Sequence, residues 1–237
     1  MKKLGIILTL IFLCLVGLHF LFAPVKDEFA EKDLYDEIIA RGKIKVGINT
    51  ASKPFSYVDE KGNIVGYDAD LAKYIAQYIL KSPDRVEFVP VTISNRLIKA
   101  STGEVDVVIS TVTINPQREE LVSFSVPYDV AGQTLLVRSN SSITSMSDLA
   151  GQTVGVIFGT TAEKNIKNLV PTADLRGFRS YDNAYKALKS GKINAITSDD
   201  TLLSRFAADD KSVRLLPKND IPNINNNCDA VIKAPRA

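Results

Sequence analysis

The chain has 237 residues, of which 45% are hydrophobic and 24% charged, a balance typical of a soluble globular protein. The net charge of +2, without a dense block of Lys and Arg, argues against nucleic acid as a partner. The single histidine, His19, argues against a histidine-based triad or zinc site, and the two cysteines, Cys14 and Cys228, leave no disulfide within the folded part.

The N-terminus carries the pattern of an export signal. Two lysines precede an apolar run over residues 4–23, and Pro24 follows that run. The run has about the ~20 residues that a membrane span needs, and the residues around its end suit cleavage poorly. We predict that residues 1–24 are a signal peptide or an N-terminal membrane anchor, with the rest of the chain periplasmic or extracellular.

From residue 33 onward, strand and helix patterns alternate. We predict strands over 44–48, 87–91, 107–109, 133–138, 153–157, 175–178, 193–197 and 213–216. Between them we predict helices over 33–41, 68–82, 95–101 and 182–189, a helical turn over 146–149, and helix starts near Thr160 and Asp199, with Asp68 as an N-cap. This alternation indicates an α/β fold with largely parallel sheets. The tail over 217–237 has weak patterning and is predicted to be poorly ordered.

The stretch from Asp106 to Arg118 joins a buried strand to a set of polar side chains. After the apolar residues come three hydroxyls, a helix start and one guanidinium: Ser110, Thr111, Thr113, Asn115–Pro116 and Arg118. Arginine donates a planar fork of hydrogen bonds that suits a carboxylate. The stretch therefore indicates either an anion site or an ordinary surface arginine after a strand-to-helix turn.

Two further stretches place polar groups at predicted strand ends. Gly159, Thr160 and Thr161 open a helix whose free amides attract anions, although Thr160 and Glu163 also have capping-box spacing. Asp199 follows another strand, where its carboxylate can bind an ammonium group or simply cap a helix. Open α/β sheets bind ligands at the carboxyl ends of strands, and an anion site beside a negative site suits a zwitterion such as an amino acid.

Several motifs in this order resemble one family. They are Gly42–Gly47, Pro54–Phe55, Gly62–Ala72, Asn95–Leu97, Gly103–Asp106, Thr111–Arg118, Phe124–Tyr128, Gly159–Thr161 and Gly191–Asp199. Over about residues 33–217 the chain resembles the family 3 solute-binding proteins of bacterial amino-acid ABC transporters. Each motif alone is weak, and their order makes the resemblance specific.

The resemblance implies a two-lobed fold of the type II periplasmic-binding-protein class. Each lobe would be a mixed, mainly parallel sheet flanked by helices, with the ligand cleft between lobe 1 (33–131) and lobe 2 (132–216). Family members usually continue with a strand that crosses back to the first lobe. The atypical tail, residues 217–237, does not match that strand.

The resemblance also implies roles for single residues. Arg118 looks like the clamp on the ligand carboxylate, supported by Thr113 and Thr161, and Thr111 and Asp199 look like partners of the ammonium group. The further candidates are Phe55 in the wall near the ligand, the hydroxyls of Ser110 and Thr160, and Arg96. Arg96 would either pair with an acidic ligand side chain or lie on the surface of a short helix.

The implied function is capture of an amino acid outside the cytoplasm, of the glutamate, aspartate or glutamine type. The protein would deliver it to the membrane permease subunits of an ABC importer. No cofactor, metal, catalytic residue or nucleic-acid partner is expected. Two alternatives are an amino-acid sensor module, favoured by a retained membrane tether through residues 4–23, and a dehydratase-like enzyme on the same fold, which needs a general acid in the cleft.

Overall fold

The computed structural model describes residues 33–217 and the backbone of residues 227–233. The predicted leader over residues 1–24 lies outside the described residues. By compactness the chain divides into Met1–Glu37 and Ile38–Ala237, and every strand among the described residues belongs to the second unit. Within the described ranges, no helix combines the length and the apolar composition that a bilayer crossing requires.

Strands and helices alternate along most of the described chain, which confirms the predicted α/β class. The helices are α1 (Leu34–Arg41), α2 (Tyr67–Leu80), α3 (Arg96–Ser101), α4 (Pro116–Glu119), α5 (Thr161–Leu169), α6 (Tyr181–Lys189) and α7 (Asp200–Asp209), with a 3-10 turn over Ser147–Leu149. The strands are β1 (Ile44–Asn49), β2 (Ala51–Ser52), β3 (Ser56–Val58), β4 (Ile64–Val65), β5 (Val86–Val91), β6 (Val107–Thr113), β7 (Ser123–Phe124), β8 (Asp129–Ala131), β9 (Gln133–Arg138), β10 (Thr153–Ile157), β11 (Asp174–Phe178), β12 (Ala195–Asp199), β13 (Val213–Leu215) and β14 (Asn227–Lys233).

The strands form two large mixed sheets. The first has the order β5-β1-β6-β14-β7, with β8 also paired to β14, and the second has the order β11-β10-β12-β9-β13. In the first sheet β1 runs parallel to β5 and β6, and in the second β10 runs parallel to β11 and β12. The first sheet thus draws on strands before residue 132 and on the tail, while the second draws on residues 133–215. The predicted lobe boundaries at 131 and 216 remain predictions.

The tail contains a strand, so the prediction that it lacks the returning element is wrong for residues 227–233. Strand β14 runs antiparallel to β6, β7 and β8 and lies within the first sheet. This strand was not predicted because the asparagine-rich sequence that leads into β14 lacks the alternation of apolar residues typical of a strand. Its neighbours supply the backbone hydrogen bonds that a strand at this position needs.

The prediction that Asp68 caps a helix is also wrong. Helix α2 begins at Tyr67, with Gly66 at the N-cap position and no side-chain cap. The amides of Tyr67 and Asp68 donate instead to the carbonyl oxygens of Pro54 and Phe55, at 3.3 and 2.8 Å. Backbone therefore replaces the usual capping side chain, and the carboxylate of Asp68 is turned into the interior, where it is fully buried.

The apolar faces of the strands and helices form the core. Beneath the first sheet, Val105, Val108, Val112 and Val122 pack with Ala100 of α3. Beneath the second, strand residues such as Leu135, Val154 and Ala195 pack with Ile166 of α5. These buried contacts fix the strand ends from which the polar side chains project.

Candidate functional site

A narrow cleft lies where polar residues of both sheets meet. Its lining residues are Ile93, Arg96, Thr111, Thr113, Thr160, Thr161, Tyr181, Asp199 and Leu202. It holds about 250 Å³ of space between atoms, part of it open to solvent, but only about 10 Å³ can take the centre of a water molecule. That is about the room one water needs, so the walls of the cleft are nearly in contact.

On the first-sheet side, Thr111 has an unusual backbone conformation. Its φ is 46°, in the left-handed region, which is a true outlier for a β-branched residue. The pairing of β6 with β14 is irregular here: Val112 opposes Ala230 and Val108 opposes Ile232. A bulge re-aims side chains and peptide groups, and this one lies in the strand that carries the predicted hydroxyls.

Arg96 is buried beside the cleft, so the surface alternative for it is wrong. Only 3% of the residue is exposed. Its Nη1 atom donates to the carbonyl oxygen of Ser110 and to that of Thr111, the latter at 3.0 Å. The guanidinium therefore holds the irregular part of β6 from one side while it also forms part of the cleft wall.

Arg118 lies behind Thr113 and reaches across to the second sheet. The predicted helix start is confirmed, because the Asn115 side chain accepts from the amide of Arg118 and Pro116 opens α4. The guanidinium donates through Nη1 to the carbonyl oxygen of Thr113 at 2.7 Å and through Nη2 to that of Gly159 at 3.4 Å. Arg118 is 7% exposed, so the alternative of an ordinary surface arginine is wrong.

On the second-sheet side, the hydroxyl of Thr160 acts as a helix cap. It accepts from the amide of Glu163 at 3.2 Å and donates to the carbonyl oxygen of Ile157 at 2.8 Å. Glu163 in turn accepts from the amide of Gly159, which completes a variant of the predicted capping box. Thr161 is the first residue of α5, where an amide has no partner within its own helix, and it lines the cleft.

Asp199 supplies a carboxylate to the cleft. It ends β12 and stands at the N-cap position of α7, yet its side chain makes no capping hydrogen bond. It is 8% exposed and lines the cleft. The capping alternative for this carboxylate is therefore wrong, and its orientation brings a negative group to the second-sheet wall, opposite Arg96 and Thr111 of the first.

Three predicted residues are not among those that line the cleft: Arg118, which lies behind Thr113, and Ser110 and Phe55. Ser110 is fully buried, and its Oγ has no hydrogen-bond partner among the described residues. Phe55 packs into a hydrophobic cluster with second-sheet residues such as Leu136 and Ile157. Phe55 therefore contributes apolar packing behind the wall, and Ser110 contributes its carbonyl oxygen to Arg96.

Sequence patterns missed several residues at or near the cleft, among them the lining residue Leu202 and three residues with polar side chains. Tyr181 opens α6 and its hydroxyl lies 3.0 Å from Ser198 Oγ. Behind Thr111, the hydroxyl of Tyr128 donates to Asp68 Oδ1 at 3.0 Å. Burial raises the pKa of Asp68 to about 7, against the hydrogen bonds from Tyr128 and Ser56, which lower it. In the sequence, Pro127–Tyr128 has the pattern of a turn and Asp68 that of a helix start. Neither pattern indicates a buried hydrogen-bond network.

Comparisons with known proteins show which family this chain is similar to. A family model described as "Bacterial extracellular solute-binding proteins, family 3" matches residues 44–208. The glutamine-binding protein of Geobacillus stearothermophilus is 37% identical over 183 residues, which cover 76% of this chain and 70% of that protein. The ABC transporter glutamine-binding protein GlnH of Bacillus subtilis is 35% identical over 191 residues, covering 80% of this chain and 70% of GlnH.

A solved structure shares the fold. The crystal structure of a cysteine-binding protein from Campylobacter jejuni superposes with a TM-score of 0.79 at 31% sequence identity, covering 84% of this chain and 79% of that one. The chain belongs to the bacterial extracellular solute-binding proteins of family 3, and it has the type II periplasmic-binding-protein fold.

Proposed function

We propose that this protein binds a free amino acid in the cleft and delivers it to the permease subunits of an ABC importer. The observation that carries the proposal is the charge arrangement at the cleft: the buried guanidinium of Arg118 lies behind its first-sheet side and reaches Gly159 of the second, and the carboxylate of Asp199 lines the second-sheet wall. A zwitterion has one pole for each. The names of the relatives, two glutamine-binding proteins and a cysteine-binding protein, support the same ligand class.

The proposed roles follow from position. Arg118, with Thr113 and the amide of Thr161, would take the ligand carboxylate once the bond to Gly159 is exchanged for one to the ligand. Asp199 and the hydroxyl of Thr111 would take the ammonium group. Charge-assisted hydrogen bonds contribute roughly 1.5–3 kcal/mol each, so a handful of them supports the ~8 kcal/mol of a micromolar complex.

Entry of the ligand requires the walls to separate. The cleft has room for about one water, which is far less than an amino acid needs. Strands β8 and β14 pair antiparallel close to the point where the chain leaves the first sheet for the second. We propose that this strand pair is the hinge, and that bonds from both sheets to the ligand favour the closed form.

The side chain of the ligand would lie toward Arg96. A guanidinium in the wall suits an acidic side chain or its amide, which points to glutamate, aspartate or glutamine as the first candidates. The two glutamine-binding relatives fit this class. Arg96 Nη1 already donates to two backbone carbonyl oxygens. A side-chain amide oxygen needs fewer donors than a carboxylate, so glutamine is our first choice.

Isothermal titration calorimetry with the part of the chain after residue 24 tests the proposal. We expect one of the twenty amino acids, first among them glutamine, to bind with a Kd of roughly micromolar order. Its methyl ester and its N-acetyl derivative each lack one charged pole and should bind at least roughly a hundredfold more weakly. Equal affinity for either derivative would contradict the zwitterion clamp.

We propose binding without chemical conversion. The dehydratase-like alternative needs a general acid in the cleft, and the carboxylate among the cleft-lining residues, Asp199, is assigned here to the ammonium group. Mass spectrometry of the ligand after prolonged incubation should return it unchanged, and turnover of a prephenate-like cyclic acid would support the enzyme instead.

We also propose a location outside the cytoplasm. N-terminal sequencing of the mature protein separates a cleaved leader from a retained tether, which the sensor alternative would favour.

A further inference from the structure

A buried chain of hydrogen bonds lies directly behind Thr111. The amide of Thr111 donates to the hydroxyl oxygen of Tyr128 at 3.0 Å, and that hydroxyl donates to Asp68 Oδ1 at 3.0 Å. The other oxygen of Asp68 lies 3.5 Å from Ser56 Oγ. Such chains polarise one another in a low-dielectric interior, so each bond strengthens the next.

The conformation of Thr111 needs this support. A non-glycine residue in the left-handed region, above all a β-branched one, persists only where its surroundings over-determine it. Here its amide is held by Tyr128 from one direction, and its carbonyl oxygen is held by Arg96 Nη1 at 3.0 Å from another. The amide and the carbonyl group of Thr111 are thus both held by hydrogen bonds, and its side chain lines the cleft.

We propose that Tyr128 and Asp68 are positioning residues, which hold Thr111 in its left-handed conformation and so aim its hydroxyl at the ligand. Neither residue is among those that line the cleft. The inference rests on the proposed function, since the aim of the hydroxyl matters only where the cleft takes a ligand. Tyr128 also immediately precedes β8, one of the two strands of the proposed hinge, so the same bond ties the binding strand to the segment that moves.

Amide hydrogen exchange of the ligand-free protein tests the positioning itself. Tyr128→Phe keeps the ring and removes only the hydroxyl, which leaves the buried amide of Thr111 without its acceptor. We expect exchange at Thr111 to become at least roughly tenfold faster, because that amide loses its bonded state. Tyr74→Phe is the matched control, since Tyr74 is 69% exposed, and it should leave exchange at Thr111 unchanged.

A double-mutant cycle tests the consequence for binding. Tyr128→Phe should raise the Kd for the amino acid roughly tenfold, the usual effect of leaving one buried donor unpaired. In the Thr111→Ala background, which lacks the hydroxyl, the same change should raise the Kd less than roughly twofold, since interacting residues are non-additive. The melting temperatures of all variants are measured alongside, so that a general loss of stability is separated from a specific loss of affinity.

Asp68 offers a second, independent pair of variants, which also serves if Tyr128→Phe fails to fold. Asp68→Asn keeps an oxygen that accepts from Tyr128, whereas Asp68→Leu has a similar shape and no acceptor. We expect Asp68→Asn to bind the amino acid with the wild-type Kd and Asp68→Leu to bind it with a higher Kd. Any of three results would overturn the inference. The first is unchanged amide exchange at Thr111 in Tyr128→Phe. The others are an equal loss of affinity from Tyr128→Phe with and without Thr111→Ala, and equal Kd values for Asp68→Asn and Asp68→Leu. If the wild-type chain bound no amino acid, the proposed function would fail, while exchange at Thr111 would still decide the positioning.

Discussion

Arg118 and Gly159 are joined across the cleft by a hydrogen bond from the guanidinium Nη2 to the carbonyl oxygen, at 3.4 Å. Arg118 belongs to the helix after β6 of the first sheet, and Gly159 follows β10 of the second. The guanidinium thus holds the two walls together in the same region where the ligand carboxylate is proposed to bind. A long bond to a neutral carbonyl is readily exchanged for a shorter, charge-assisted one.

Replacement of Arg118 should therefore remove binding. We expect Arg118→Ala to raise the Kd by roughly a hundredfold, because it deletes the charge-assisted bond to the carboxylate and leaves that charge without its partner. Arg118→Lys should recover only part of this loss, since an ammonium group lacks the planar fork. Calorimetry is the measurement, and Arg179→Ala, at an exposed arginine, is the control that should bind like the wild type. Unchanged affinity in Arg118→Ala would refute the assignment.

Replacement of Asp199 should weaken binding of the ammonium group of the ligand. Asp199→Asn keeps the shape and removes the charge, so we expect the Kd to rise roughly ten- to a hundredfold through loss of a charged hydrogen bond. Asp209→Asn, at an exposed position near the end of α7, is the matched control. A ligand amine without a carboxylate should be the probe most sensitive to this change, and if it binds both proteins equally well, Asp199 does not hold the ammonium group.

The buried hydroxyl of Ser110 gives a prediction about stability. Since its Oγ has no partner among the described residues, it carries a desolvation cost of about 1–3 kcal/mol that Ser110→Ala would relieve. We expect Ser110→Ala to raise the free energy of unfolding and leave the Kd unchanged. Thr134→Val is the control, because Thr134 is equally buried but donates to the carbonyl oxygen of Leu216 at 3.0 Å, so it should destabilise. Weakened binding in Ser110→Ala would place this hydroxyl on the ligand after all.

The pKa of Asp68 predicts a pH dependence of stability. Burial raises this pKa from 3.8 to about 7, against the lowering influence of Tyr128, Ser56 and Arg96 and together with the raising influence of Asp129. Between these two values the folded state retains a proton that the unfolded chain has lost. The free energy of unfolding should therefore fall as the pH rises through this window, and the contribution is fully present only below about pH 4.

Urea unfolding of the wild type and of Asp68→Asn from about pH 4 to about pH 8 checks this. The amide cannot ionise, so Asp68→Asn should lose less stability over the window, by a few kcal/mol at about 1.4 kcal/mol per pKa unit. Parallel curves for the two proteins would mean that Asp68 is ionised throughout.

Gly66 gives a prediction about the start of α2. Its φ is 114°, and a Cβ added there would lie 2.4 Å from the carbonyl oxygen of Phe55, an oxygen that already accepts from Asp68. Gly66→Ala should lower the melting temperature strongly, because both the conformation and the contact forbid the methyl group. Gly62→Ala is matched in its positive φ of 85° but has no atom within 4 Å. It should cost only the conformational strain of roughly 1 kcal/mol, and equal losses would contradict the steric argument.

Local sequence patterns predicted several strands and helix starts and most of the residues that line the cleft. Strand β10 begins and ends where predicted, and Asn115 and Thr160 cap the helices that their spacing indicated. These features depend on residues within a few positions of one another, so local pattern reports them. Polar groups at the carboxyl ends of strands were predictable for the same reason, and Thr111 and Asp199 do line the cleft, while their roles toward a ligand stay a prediction.

The orientation of these side chains depends on contacts between segments that are far apart in the sequence. Asp68 and Tyr128 are 60 positions apart, and no periodicity or cap signal links them. The irregular pairing of β6 with β14 is likewise made between segments that are distant along the chain. Backbone hydrogen bonds across sheets and the burial of a carboxylate depend on which segments meet in space, and a local pattern does not report that.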